Sequence, residues 1–429
     1  MPGKHLTTVV RHFTREKRRK AAAVQNLAEF PAPRDSRKRP GFRQSIGAFV
    51  LAALIVSILT PRLLAEETDS TVSEPKFLGS QTCSSSSCHG GAGEKSKQFT
   101  IWSTHDFHHA RPYATLETAR SERLAEVLKI GNPTQSTRCT VCHAPFATVP
   151  AERLGHDAAV TEGVSCESCH GPAENWIRSH TRPDYTHADR VASGMRDLHS
   201  LYVRANTCVA CHQNIDPEIR AAGHPELIFE LDGQSVTMPK HWSKEADAPP
   251  IYIWQVGQLV ALREVSWELS REKAPSEDLK DRWNALVWIM QTLTLSDNSR
   301  MMPEPTPENL HKTQTEAEEQ ARDLGMLNAG QKENAPELTR KTLLKLAASS
   351  AAFQEKSVPT RVQARRAELL VLALDRLGGG INADTNSAAN QSLNKLFTDA
   401  QSLPDFNPTL FANDLNTFHS SVAGFLETK

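Results

Sequence analysis

The chain changes texture near residue 250. Beyond that point apolar residues recur at spacings of three and four, the period of a helix. Val256, Leu259, Leu262, Val265 and Leu269 mark one buried face. Ser276, followed by Glu277 and Asp278, is the cap of a second helix carrying Trp283, Leu286, Met290 and Leu293. Thr306-Pro307-Glu308 opens a third, polar helix that Gly325 ends. Thr360 to Leu377, closed by Gly378-Gly379-Gly380, predicts a fourth, with Leu369, Leu370, Leu372 and Leu374 as core residues. A last amphipathic segment runs from about Pro408 to Leu426. No stretch alternates convincingly as a strand, so the fold class is mainly α.

Between Phe77 and about Trp242 the pattern is different. Gly and Pro are scattered, no period is sustained, and the stretch holds every cysteine and most histidines. Such a segment cannot build an ordinary hydrophobic core from its own side chains. Something else must fill its middle. Residues 66–76 are polar and read as a linker between this region and the N-terminus.

Charge sharpens the division. Residues 1–65 carry 13 Lys/Arg against three acids, and the remainder carries 36 against 47. An acidic body argues against nucleic acid as a ligand, because phosphate binding needs a basic footprint. The basic leader, residues 1–45, precedes an uncharged run from Ile46 to Thr60. Those 15 residues are short for a span of about 20. Residues 46–65 therefore read as a secretory signal with a cleavable small residue at Ala65, or as an uncleaved anchor with its positive end in the cytoplasm. Either reading puts the rest of the chain on the exported, periplasmic side and allows membrane contact through 46–60.

The eight cysteines fall in pairs, each followed at once by histidine: Cys139-x-x-Cys142-His143, Cys166-x-x-Cys169-His170, Cys208-x-x-Cys211-His212, and a wider Cys83-x4-Cys88-His89. C-x-x-C-H is the attachment signal of c-type haem. Two thiols one turn apart add across the two vinyl groups of the porphyrin, and the next residue supplies a nitrogen to iron. Paired C-x-x-C motifs would also suit zinc, and disulfides suit an exported chain, but neither explains the four histidines. The wider first motif also admits a local disulfide. The expectation is four covalent haem c groups, whose iron and flat apolar rings fill the region 77–245, followed by a helical C-terminal region, 250–429. Nine further histidines lie between Cys83 and Trp242, with only Met195 and Met238 as thioether rivals, which favours histidine as the sixth ligand and low reduction potentials.

Gly163-Val164-Ser165-Cys166-Glu167-Ser168-Cys169-His170-Gly171-Pro172, with His180 downstream, resembles the multihaem cytochrome c-554 family. The resemblance takes in Gly79-Ser80, the first motif, Trp102, His109-Ala110-Arg111 and Leu116. It covers about 83–212 and none of 250–429. It implies a tetrahaem electron carrier in which His180 lies opposite His89, and His109 opposite His170 with His105 and His108 as rivals. It also implies a distal histidine for the fourth haem from downstream of its motif, here His224 opposite His212, with His241 next. The family's best-known member leaves the second haem five-coordinate. Here His187, His199 and His241 are candidates to fill it.

Two functions follow. An exported tetrahaem carrier would pass electrons through closely packed haem edges to redox partners with a basic docking face. Alternatively, a five-coordinate haem would make the chain an oxidoreductase acting on a small nitrogen compound. No C-x-x-C-K, the mark of a lysine-ligated catalytic haem, occurs in the sequence. The helical C-terminal region reads as a docking element or as a cap over haem edges, and the sequence does not separate the two.

Overall fold

The computed structural model describes residues 74–242, 248–272, 275–294, 303–379, 387–400 and 405–427. The leader, the apolar run 46–60 and most of the linker lie outside the described residues. Among the described residues the regular structure is helical, and a single parallel bridge joins Phe77 to Leu154. No described helix is long and apolar enough to cross a membrane.

The first half is a string of short helices: α1 (Gln98–His105), α2 (Phe107–Ala110), α3 (Pro112–Thr115), α4 (Ala119–Leu128), α5 (Thr137–His143) and α6 (Cys166–His170). After them come α7 (His187–Ala192), α8 (Leu201–His212), α9 (Pro217–Ala221) and α10 (Leu231–Thr237). From Lys76 to Ser200 the fully buried apolar side chains are few, and they include Leu116, Phe146 and Trp176. That scarcity is what the absent periodicity foretold. Backbone order comes instead from polar clamps. The buried carboxylate of Glu167 accepts the N–H groups of Leu78, Gly79 and Ala173 at 2.9, 2.7 and 2.7 Å.

The second half is a bundle of long helices: α11 (Pro250–Arg271), α12 (Glu277–Thr294), α13 (Pro307–Asp323), α14 (Ala329–Ala347), α15 (Thr360–Leu377), α16 (Ala388–Ala400) and α17 (Pro408–Glu427). The expected face of α11 is buried, with Val256 and Val265 fully enclosed. Trp283 of α12 is also enclosed, and its indole N–H donates to the Ser266 hydroxyl at 2.9 Å. α13 packs along α11, α12 on α15, and α16 on α17.

α14 and α16 carry no expectation from the sequence. α14 has a polar start and an internal Pro336, which blur its period. Its start is fixed by a reciprocal cap: Asn328 accepts from the Gln331 N–H, and Gln331 accepts from the Asn328 N–H, at 2.8 and 2.9 Å.

The two halves share one core. Leu201, Ala205 and Val209, on the helix that ends in the fourth motif, are buried in the same cluster as the bundle, together with Phe229 and Leu231. α8 packs on α11. The Leu201 N–H donates to the Gly325 carbonyl at 2.7 Å, and Gln213 donates to the Ala261 carbonyl at 2.8 Å. A side chain at Gly325 would strike Tyr202, so glycine here admits α8. The fourth motif is thus mounted on the rigid body, and the other three motifs are arrayed from it.

Candidate haem sites

Three motifs sit in helical turns. In α5, in α6 and at the end of α8 the paired thiols are three residues apart, on one face, with histidine next. The first motif is a non-helical loop. Its two extra residues fold out in turns, with the Cys88 and Gly90 N–H groups both donating to the Ser85 carbonyl at 2.9 Å. A further bond from the His89 N–H to the Cys83 carbonyl at 3.2 Å draws His89 back beside Cys83.

The histidines form pairs. Ring centroids of His89 and His180 are 6.1 Å apart, those of His109 and His212 are 6.0 Å apart, and those of His143 and His224 are 6.4 Å apart. Two imidazoles that share one metal through their Nε2 atoms have centroids about 6.3 Å apart, from two bonds of roughly 2 Å and roughly 1.2 Å from each nitrogen to its ring centre. The three separations match that spacing. Among the rivals, His187 and His199 stack face to face at 4.4 Å, with no room for an ion between them.

Hydrogen bonds choose the free nitrogen. The Nδ1–H of His180 donates to the Ile177 carbonyl at 2.7 Å, that of His224 to the Pro225 carbonyl at 2.8 Å, and that of His143 to the Pro112 carbonyl at 3.0 Å. His109 donates to the Asp106 carboxylate at 2.9 Å and His89 to the Gln98 side-chain oxygen at 3.0 Å. His241 follows the same rule, donating to the Pro239 carbonyl at 3.2 Å. Occupying Nδ1 fixes the tautomer and leaves the Nε2 lone pair for a metal. His187 does the opposite, spending Nε2 on Asp197 at 3.0 Å.

Burial tunes the donors. It pushes the His170 and His212 imidazoles down to about 4, and it lowers His180, His224 and His241 as well. These rings are neutral at pH 7, the form that binds a metal. Burial also pushes the Cys208 thiol up to about 12 and raises Cys139 and Cys169, so these thiols are protonated at neutral pH.

The pairs amend two expectations drawn from the family. His109 faces His212, not His170, and His224 faces His143, not His212. The cause is the mounting of the fourth motif. α8 packs beside α5, which places His212 next to α2, the helix bearing His109, and His224 over the second motif. Of the candidates for the second haem, His187 and His199 face each other, and His241 is the leading electrostatic neighbour of His170. His89 and His180 do face one another. His105 and His108 are exposed, and His156 is 99% exposed.

The motifs themselves touch in a definite order. Cys83 is an electrostatic neighbour of Cys166, Cys142 of Cys211, and Cys169 of Cys208 and Cys211. The spatial sequence is therefore first, third, fourth, second.

Residues 82–171 match the family model described as cytochrome c554 and c-prime. This segment is similar to cytochrome c554 and c-prime. No curated protein matches the chain, and no solved structure does. The c554-type segment contains the first three motifs and His109; it stops before His180, the fourth motif and the helical bundle. A c-type cytochrome region explains why cysteine and histidine, not leucine, line its middle. The donor set fits haem c: paired thiols, a histidine beside each pair, and facing imidazoles of which five, His89, His109, His143, His180 and His224, have Nδ1 engaged.

Two contributions to the site had no signal in the sequence. Asp106 and the Pro112 carbonyl orient His109 and His143 through contacts that only folding creates, and Arg138 carries no motif of its own.

Proposed function

We propose that the chain is an exported tetrahaem c-type cytochrome that carries electrons between redox partners. Cys83 and Cys88, Cys139 and Cys142, Cys166 and Cys169, and Cys208 and Cys211 hold the four haems. His89, His143, His170 and His212 are the proximal ligands, and His109, His180 and His224 are distal ligands. When bound, haem c supplies an iron that cycles between two oxidation states.

The observation that carries the reading is the set of three histidine pairs 6.0–6.4 Å apart. At the three sites with facing histidines, the chain's own residues would hold, insulate and tune the haem. The imidazoles orient through their Nδ1 bonds, and histidine on both sides favours low potentials over a methionine–histidine set. The neighbouring cysteines support a relay in the order first, third, fourth, second. The acidic body, 36 Lys/Arg against 47 Asp/Glu after residue 65, supports partners with a basic docking face, and the encounter weakens with salt. The leader and the apolar run 46–60 support export, since covalent haem attachment takes place outside the cytoplasm.

A pyridine haemochrome assay on the full chain, made in a host equipped for cytochrome maturation, tests the reading. It is expected to count four c-type haems per chain; colourless protein overturns the proposal.

A further inference from the structure

We infer that His224 closes the second iron from the side opposite His143, and that Arg138 is the residue that positions it there. This rests on the tetrahaem reading and departs from what the family resemblance implies, a second haem left open.

The two imidazoles meet edge to face, 6.4 Å between centroids and 82° between planes. Each has its Nδ1 committed to a backbone carbonyl, His143 to Pro112 and His224 to Pro225, so each offers Nε2. Thr115 adds a second bond to His143 Nδ1 at 2.9 Å. Neither ring is free to turn away.

The loop that carries His224 is anchored to the second motif itself. Arg138 lies one residue before Cys139, and one terminal nitrogen of its guanidinium donates to both Asp216 at 2.6 Å and Glu218 at 2.9 Å at the start of α9. From α9 the chain turns through Gly223, whose φ of +108° suits glycine, and Arg120 holds the Gly223 carbonyl at 2.8 Å. The same arginine that borders the haem-binding cysteines thus fixes the helix from which the distal histidine hangs. An iron closed this way has no position for a small substrate, which removes the oxidoreductase alternative at this haem.

The test uses the holoprotein. Wild type is expected to hold four haems, with the second iron low-spin in electron paramagnetic resonance of the oxidised form and closed to carbon monoxide when reduced. His224→Ala is expected to keep four haems and to turn one iron in four high-spin and reactive to carbon monoxide. That signal disappears when Cys139→Ala and Cys142→Ala are added, because they delete the haem concerned. Arg138→Gln is expected to give the same high-spin species in a fraction of molecules, and Arg138→Lys to give less of it. Should His224→Ala fail to fold, His224→Met decides: the second iron stays low-spin and its midpoint potential rises. The inference is overturned by a wild type that already holds one open iron unchanged by His224→Ala. Four low-spin irons in His224→Ala overturn it too, as does a His224→Met protein with unshifted potentials. In each of these cases four haems remain and the tetrahaem reading stands. A wild type with fewer than four haems overturns that reading, and the inference with it.

Discussion

The carboxylate of Asp106 accepts the Nδ1–H of His109 at 2.9 Å, and Asp106 is 6% exposed. Burial pushes the Asp106 carboxyl up, but the hydrogen bond and charge of His109 outweigh it, and the carboxyl ends below its ordinary range. A buried anion behind an imidazole makes the far nitrogen more basic and favours the oxidised metal it binds. Asp106→Asn keeps the shape and removes the charge. We expect one of the four midpoint potentials to rise by on the order of tens of mV, small beside the roughly 0.8 V that axial ligand identity spans. Redox titration with spectroscopic detection reads it, and four unshifted potentials would refute the role.

His180 is the distal residue most constrained by its surroundings. Its ring sits edge-on to the buried Trp176 at 5.5 Å, and its Nδ1–H is held by the Ile177 carbonyl. His180→Ala is expected to open the first iron alone, giving one carbon monoxide-binding haem in four with the haem count unchanged. Unaltered coordination in that variant would break the pairing with His89.

The sequence made the chemistry legible and left its arrangement hidden, for a physical reason. A C-x-x-C-H turn is local, so all four proximal histidines could be named from spacing. A distal ligand is chosen by where a distant loop lands, and that depends on contacts such as Arg138 with Asp216 that no period records. His180 faces His89, as the resemblance implies, from a short turn of its own. His109 and His224 face His212 and His143, where the resemblance implies His170 and His212, because the bundle sets where α8 lies. In the bundle itself, α11 and α15 were plain from their apolar stripes. α14, interrupted by Pro336 and mostly polar, was silent.

Arg365 on α15 ties the bundle to the segment that follows His224. It bonds Glu368 at 2.8 Å and Glu226 at 3.3 Å, and both carboxylates are less than 5% exposed at the side chain. Burial alone would disfavour Glu368 as an anion, so the arginine is what keeps these charges tolerable. Arg365→Ala leaves the buried Glu368 without its counter-ion, while Glu226 keeps Arg282 at 3.4 Å, and is expected to cost about 3–5 kcal/mol. Arg365→Lys retains the charge without the fork and is expected to fall between. Denaturant unfolding of the holoprotein checks both, and a loss under about 1 kcal/mol for the alanine variant would mean the cluster relaxes into water.

Glu268 offers a pH test of the same interface. It lies on α11, lining a small cavity with Gln213, Arg220, Glu226 and Arg282. Burial pushes its carboxyl up from the ordinary 4.5 to about 7, against the pull of Arg282 and Arg220. Between those two values the folded chain keeps a proton that the unfolded chain has lost, so stability falls as pH rises from 4.5 to 7 and is level beyond. Glu268→Gln cannot ionise and escapes that loss. The variant is therefore expected to gain on wild type across this window by up to about 3 kcal/mol, at 1.36 kcal/mol for each unit of displacement. Unfolding curves at pH 4.5, 6 and 8 decide the matter. A gap between the two proteins that stays constant with pH would show that Glu268 ionises in the folded chain as readily as it does in water.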